Sequence, residues 1–343
     1  ATAAVCGSSL HKLPCLPTES VLRLVERAVK VWSELAAKCQ AAKAKRTEDE
    51  EEEEEGKKDR DSLRHLRHTL INWICSVVPD YDRMYSCPVE PYLPVLLPPL
   101  LQALEDRDQD LSRQAKGCVE LAANTPMLTA AVLPQVLQAV RSVARSESWQ
   151  VRSSVLPFLQ IVVFRHQCAI AERDMAMVRD LMVSLLTDSH VEVREMASAA
   201  VSVLVRICGE DLVLTLRSVF LAWARQPLPG RPKRRSMAAS PEEESKEHKQ
   251  LAASAMQTRH AGVLGLAALV GAYPYDVPPW MPEILVHLAT YVVDPAPIKQ
   301  TVRKAFGEFW RTHQDVWPIL KDRFNEEQLS TLTNLLASPS YFS

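Results

Sequence analysis

His65 and His68 stand three residues apart in "RHLRH", and on a helix that spacing sets two imidazoles on one face, within reach of a single metal ion. Arg64 and Arg67 lie beside them and repel a cation, so the pair reads as helix surface rather than as a metal centre. The eight cysteines, at 6, 15, 39, 75, 87, 118, 168 and 208, form no C-x-x-C pair. Cys75, Cys118 and Cys208 fall inside apolar helical runs, the setting of reduced, buried thiols rather than of disulfides or zinc ligands. No G-x-x-x-x-G-K-[ST] loop and no G-x-S-x-G elbow occurs, and His260 and His287 sit on helix faces without a paired nucleophile. The sequence therefore offers no enzyme chemistry and no cofactor site.

What remains is binding chemistry in two places. Lys233-Arg234-Arg235 is a basic cluster that suits a nuclear-import signal or an anion, and Ser240-Pro241 suits a phosphorylation site; both also fit a plain solvated loop. The second place is Tyr341-Phe342-Ser343. Two aromatic rings and a carboxylate fit a pocket with an apolar wall and a cation. The same rings can instead fold back onto their own chain, and the stretch alone does not separate the two readings.

The elements that must position these groups are helices. Residues 19–46 carry an amphipathic stripe through Val21, Leu24, Val25, Val29, Trp32 and Leu35. The acidic block Glu48–Glu55 then repels itself and reads as a linker. From about residue 60 a phrase recurs in which an Arg opens a helix of small and apolar residues, at Arg113, Arg152, Arg194, Arg259 and Arg303, with spacings of 39, 42, 65 and 44. Each of these helices follows another amphipathic one, near 90–104, 128–144, 171–187, 210–225 and 279–293. Five helix pairs at this period are the mark of an all-α, HEAT/armadillo-like α-α superhelix, in which one pair buries its apolar stripe only against the next. The repeated Arg suggests a charge ladder between adjacent turns.

The long 65-residue spacing marks an insertion. The resulting organisation is an N-terminal helix and acidic linker (1–58), HEAT-like pairs (59–225), an exposed insertion loop (226–250), C-terminal repeats (251–337) and a tail (338–343). Asn325 and Gln328 form a capping box for the last helix, and Pro339 ends it near Ala337. Composition agrees: 9 glycines in 343 residues disfavour phosphate-cradling loops, and 47% hydrophobic content supplies a large core. Most of the 23 prolines fall between apolar runs. A net charge of −2 argues against direct nucleic-acid binding, and no apolar run reaches membrane-spanning length. The chain lacks an initiating Met and a secretory signal, which suggests a piece of a longer protein of the nucleus and cytoplasm.

Three stretches carry a resemblance: "RHAGVLGLAALVGAYPYDVPPWMPEILVHL" (259–288), "DPAPIKQTVRKAFGEFWRTHQDVW" (294–317) and the end "LLASPSYFS". They are similar to the C-terminal region of the large ATP-independent HEAT-repeat proteasome activators, strongly over about 251–343 and more loosely back to about 60. The resemblance implies a solenoid that caps the 20S proteasome core, inserts its C-terminus between α-ring subunits and eases entry of peptides or unfolded chains. The family tail runs hydrophobic–tyrosine–any residue. Tyr341 takes the hydrophobic place, Phe342 the tyrosine place and Ser343 the last, with its carboxylate on a lysine of the core. Phe342 departs from the pattern by lacking the hydroxyl. Also implied are recognition of acetylated histones, with a link to DNA repair, through a stretch near 150–240 with no residue matched, and inositol phosphate binding, for which Lys233, Arg234 and Arg235 are the basic candidates.

Overall fold

A computed structural model describes residues 90–105, 108–124, 129–228 and 241–336, with single positions and short runs inside 19–34 and 61–69. Every regular element in the described residues is helical. The described positions between Glu19 and Glu34 are helical, as the stripe there predicts, and Val25 is buried. The acidic block 48–55 lies outside the described residues.

The chain forms two compact units, residues 1–178 and 179–343. In the first, α1 (Leu93–Ala103) packs on α2 (Gln109–Ala123), and α3 (Leu133–Val143) on α4 (Trp149–His166). Like helices also stack, α1 on α3 and α2 on α4, which gives two layers. Leu97, Leu100 and Leu101 of α1, Cys118 of α2, Val136 and Val140 of α3 and Phe158 and Leu159 of α4 are buried between them. Asp108 caps α2, its carboxylate accepting the Asp110 and Leu111 N–H groups. The same carboxylate lies 2.9 Å from His68 Nε2, which engages that histidine as a tether.

Helix α5 (Glu172–Leu185) leads into the second unit, built from α6 (Val191–Cys208), α7 (Glu210–Ala224), α8 (Pro241–Gly271), α9 (Met281–Thr290) and α10 (Ile298–His313). The short α11 (Trp317–Leu320) and α12 (Glu326–Leu336) follow. Helix α8 is its centre, packing on α6, α7, α9 and α10. The approach to α7 is close at two glycines. A Cβ on Gly262 would stand 2.7 Å from the Ala224 Cα, and one on Gly265 would press into the Phe220 ring, 2.6 Å from its Cδ2 and closer still to its Cγ. The paired, two-layered helices make this a HEAT-like repeat solenoid.

Three expectations change. Residues 241–250, read as the second half of an exposed loop, are the opening turns of the 31-residue α8. Proline at the first helical position has no N–H to lose there, so Pro241 starts the helix where the periodicity gave no sign of one. Cys208, read as a buried thiol, is exposed at the end of α6. The repeated arginines serve backbone carbonyls as well as charges, as described with the site. No helix among the described residues is long and apolar enough to cross a membrane.

Candidate docking site

The residues proposed to bind from sequence, Tyr341, Phe342 and Ser343 and the cluster Lys233, Arg234 and Arg235, lie outside the described residues, as does Ser240. The structure describes what carries them. The tail continues from α12, whose start is fixed by the capping box read in the sequence. The Asn325 side chain accepts the Gln328 N–H at 2.8 Å, and the Gln328 side chain accepts the Asn325 N–H at 2.9 Å. Leu332 is buried, and α12 packs on α9. An eleven-residue helix is marginal alone, so these contacts hold it.

Just before α12 an aromatic cluster clamps the chain. Trp317 meets Phe309 and Trp310 edge-on, with centroids 6.2 and 5.6 Å away, and Phe324 at 5.4 Å. Phe324 and Leu320 are buried. His313 stacks on Phe309 and sets its two nitrogens 2.7 Å from the Phe309 carbonyl and 3.2 Å from the Asp276 carbonyl. It thereby ties the end of α10 to the connection before α9. Thr312 Oγ1 lies 2.8 Å from His313 Nδ1, which superficially resembles a nucleophile beside a base. That hydroxyl also lies 2.9 Å from the Glu308 carbonyl, so it serves its own helix backbone.

The other candidate, the insertion, is rooted by Arg259. Its guanidinium donates to the Gln226 carbonyl at 3.1 Å and grips Asp294 through two bonds of 2.7 and 3.0 Å. Arg259 also lies 4.9 Å from the Tyr291 ring centroid.

The recurrent arginines reveal a different device from a ladder of charges. Arg152 donates to the carbonyls of Ser146 and Glu147, both at 2.9 Å, and Arg194 to those of Asp188 and Ser189, at 2.6 and 3.0 Å. Each reaches back six and five residues to satisfy the open carbonyls where its helix pair turns. Arg259 reaches Gln226 across the insertion for the same purpose. Arg113 pairs in solvent with Asp110.

Arg194 also begins a buried relay that the sequence reading missed. Its Nε donates to His260 Nδ1 at 3.1 Å, and His260 Nε2 lies 2.8 Å from Thr301 Oγ1. One residue from each of α6, α8 and α10 is thus joined in line. His260 is fully buried, and burial, reinforced by the Arg194 charge, pushes its pKa down to about 3. Burial likewise lowers the Arg194 pKa, opposed by Asp188, Glu192 and Glu195. A neutral imidazole accepting from Arg194 has its remaining N–H free for Thr301. The repeated Arg was visible in the sequence, but a partner 66 residues away was not.

Along the same three helices runs a cleft of about 350 Å³, floored by Ala267, Ala268 and Gly271 and edged by Arg206, Lys304 and Glu308. Arg206 is already engaged there, donating to the Gly271 and Ala272 carbonyls at the end of α8. Among the described residues no three His, Cys, Asp or Glu side chains gather to hold a metal.

The family described as "Proteasome activator complex subunit 4-like, C-terminal" matches residues 256–343, and the "EF3 N-terminal HEAT repeat" family matches residues 30–201. Proteasome activator complex subunit 4 of Homo sapiens is 35% identical over 285 residues, which is 81% of this chain and 15% of that protein. Proteasome activator complex subunit 4B of Danio rerio is 32% identical over 344 residues, 96% of this chain and 18% of that one. A solved structure of Kap95p with RanGDP aligns at a TM-score of 0.36 and 13% identity, over 80% of this chain and 36% of that one. The chain thus spans about a sixth of the length of these activators. The chain belongs to the proteasome activator subunit 4 family, of which it represents the C-terminal region.

Proposed function

We propose that this chain is the docking end of an ATP-independent proteasome activator. It is a non-enzymatic HEAT solenoid that binds the 20S core through Tyr341, Phe342 and Ser343 and favours the open state of the entry gate. The observation that carries this reading is the family match over 256–343, which includes both the capped α12 and the tail beyond it. A partner that binds one of two gate states better shifts the population toward it, and no covalent step is needed. The likeness to activators of 15 to 18% coverage supports the proteasome core as partner; peptides or unfolded chains are the proposed cargo.

The test is binding of this chain to purified 20S core, with and without Tyr341–Ser343, with peptide hydrolysis read in the same samples. Binding and stimulated hydrolysis that both vanish with the three residues support the arm. Equal binding by the two forms places the contact on the solenoid instead, and the proposal fails.

A further inference from the structure

The buried relay has a direction, and that direction leaves one donor over. The Arg194 guanidinium always carries its protons, so its Nε donates to His260 Nδ1 at 3.1 Å and that ring nitrogen bears none. The proton of the neutral ring therefore sits on Nε2, which donates to Thr301 Oγ1 at 2.8 Å. Thr301 thus accepts from His260, and its own hydroxyl proton meets no acceptor among the described residues. Bonds that begin at a cation polarise each donor after it, which makes this last O–H a strong one. Thr301 is only 8% exposed, and it lines the cleft along α6, α8 and α10. A buried donor left over is costly, and an acceptor brought into the cleft removes that cost.

Three residues on, Lys304 lies on the same face of α10 at the edge of the cleft. It makes no ion pair among the described residues, whereas the other charges there are engaged. Arg311 donates to Glu308 at 3.0 Å, Arg206 donates to the Gly271 and Ala272 carbonyls, and Glu195 on the α6 wall lies in the field of Arg194. Leu264, Ala267, Ala268 and Phe309 make the rest of the lining apolar. A hydroxyl donor and an open ammonium beside an apolar wall suit an anion joined directly to hydrocarbon. A free phosphate brings no apolar part. An aspartate or glutamate side chain brings polar backbone where the wall needs hydrocarbon. The end of a peptide whose last residue is apolar carries carboxylate and hydrocarbon on one carbon. The volume of about 350 Å³ is at the small end of ligand pockets, enough for a terminal residue or two.

We propose that this cleft captures the carboxyl terminus of a peptide whose last residue is apolar. The Thr301 hydroxyl and the Lys304 ammonium bind the terminal carboxylate, and the last side chain lies against Ala267 and Ala268. Arg194 and His260 are positioning residues, which aim the hydroxyl without touching the ligand. The inference rests on the reading of peptides as cargo only for the source of such a peptide. Under that reading the solenoid holds a peptide by its end while the arm holds the core.

The probe is a fluorescein-labelled hexapeptide ending in valine with a free carboxylate, titrated with the chain in the absence of 20S core and read by polarisation. Saturable binding is expected. The same peptide amidated at its end is expected to bind at least about tenfold more weakly. Lys304→Gln and Thr301→Val chains are expected to lose about as much toward the free acid, while Thr301→Ser keeps the hydroxyl and stays within about twofold. Lys304 is exposed, so its replacement is read at an unchanged thermal midpoint. Equal affinity for acid and amide, no saturable binding, or indifference to both Lys304→Gln and Thr301→Val overturns the proposal. Displacement of the peptide by an equal concentration of inorganic phosphate also overturns it, by making the cleft a general anion site. Chain lacking 341–343 is expected to bind the peptide as unaltered chain does. Tighter binding by that form makes the chain's own end the occupant and overturns an outside ligand. With no core in the samples, failure here leaves core docking standing, and failure of core docking leaves this result untouched.

Discussion

His260 is the residue whose environment most constrains its behaviour. Its ring is enclosed between Arg194 and Thr301 and titrates near 3, whereas an unfolded chain takes up the same proton near 6.5. Between those values the unfolded state holds one more proton than the folded state. The folding free energy from this site is therefore fully present above pH 6.5 and is lost as pH falls toward 3. The slope is about 1.4 kcal/mol per pH unit, or roughly 3 kcal/mol between pH 6.5 and 4. His260→Gln keeps an acceptor for Arg194 and a donor for Thr301 but cannot take the proton. Urea midpoints at pH 7, 5 and 4 are expected to fall less steeply in the variant than in the unaltered chain, by about one proton's worth. Parallel pH profiles for the two would show that the ring does not remain neutral in the fold. The variant separates this residue from every carboxylate that also titrates in the range.

At the scale of elements, the interhelical fit depends on glycine unevenly. Gly262 and Gly265 let α8 lie against the α7 backbone and the Phe220 ring, with no room for a methyl group. Gly117 in α2 and Gly307 in α10 have nothing within 4 Å of where a Cβ would stand. Gly262→Ala is expected to cost at least about 1–3 kcal/mol through forced separation of α7 and α8. Gly117→Ala and Gly307→Ala are each expected to gain about 0.5–1 kcal/mol by relieving backbone entropy in a helix interior. Denaturant midpoints check both signs, and a neutral Gly262→Ala would mean the helices can part freely. The sequence shows four of these glycines in helical runs but not which ones a neighbouring helix approaches. The same boundary runs through the rest of the fold. Helix pairs, the recurrent Arg and the Asn325–Gln328 box are local patterns and were legible. The carbonyls that Arg152 and Arg194 satisfy lie at a turn whose geometry only the folded pair defines. The first turns of α8 at 241–250 have no apolar period to reveal them. The His260 relay joins residues 41 and 66 positions apart through packing, which periodicity does not encode.

For the whole molecule, the proposed role asks how binding alone would open a gate. Docking and opening are separable, because affinity common to both gate states shifts nothing and only a preference for the open one does. The family tail resembled here has a tyrosine where this chain has Phe342. If Phe342 docks as proposed, its ring supplies the apolar contact that a tyrosine ring would, and the missing hydroxyl removes one hydrogen bond. A net hydrogen bond is worth about 0.5–1.5 kcal/mol, and a gate partner left unpaired in a buried pocket costs more. If that bond forms only in the open state, Phe342→Tyr increases stimulated peptide hydrolysis about two- to tenfold at saturating chain, while affinity changes by no more than that factor. Titrating both forms against 20S core gives the two quantities from one set of curves: the half-saturation point reports docking, and the plateau reports opening. A raised plateau places the hydroxyl's contribution in the open state. A shifted half-saturation point with an unchanged plateau places it equally in both states, and this tail then contributes grip alone. Unchanged curves mean that Phe342 already fills its pocket as well as tyrosine does, so opening must depend on Tyr341, the terminal residue or the solenoid.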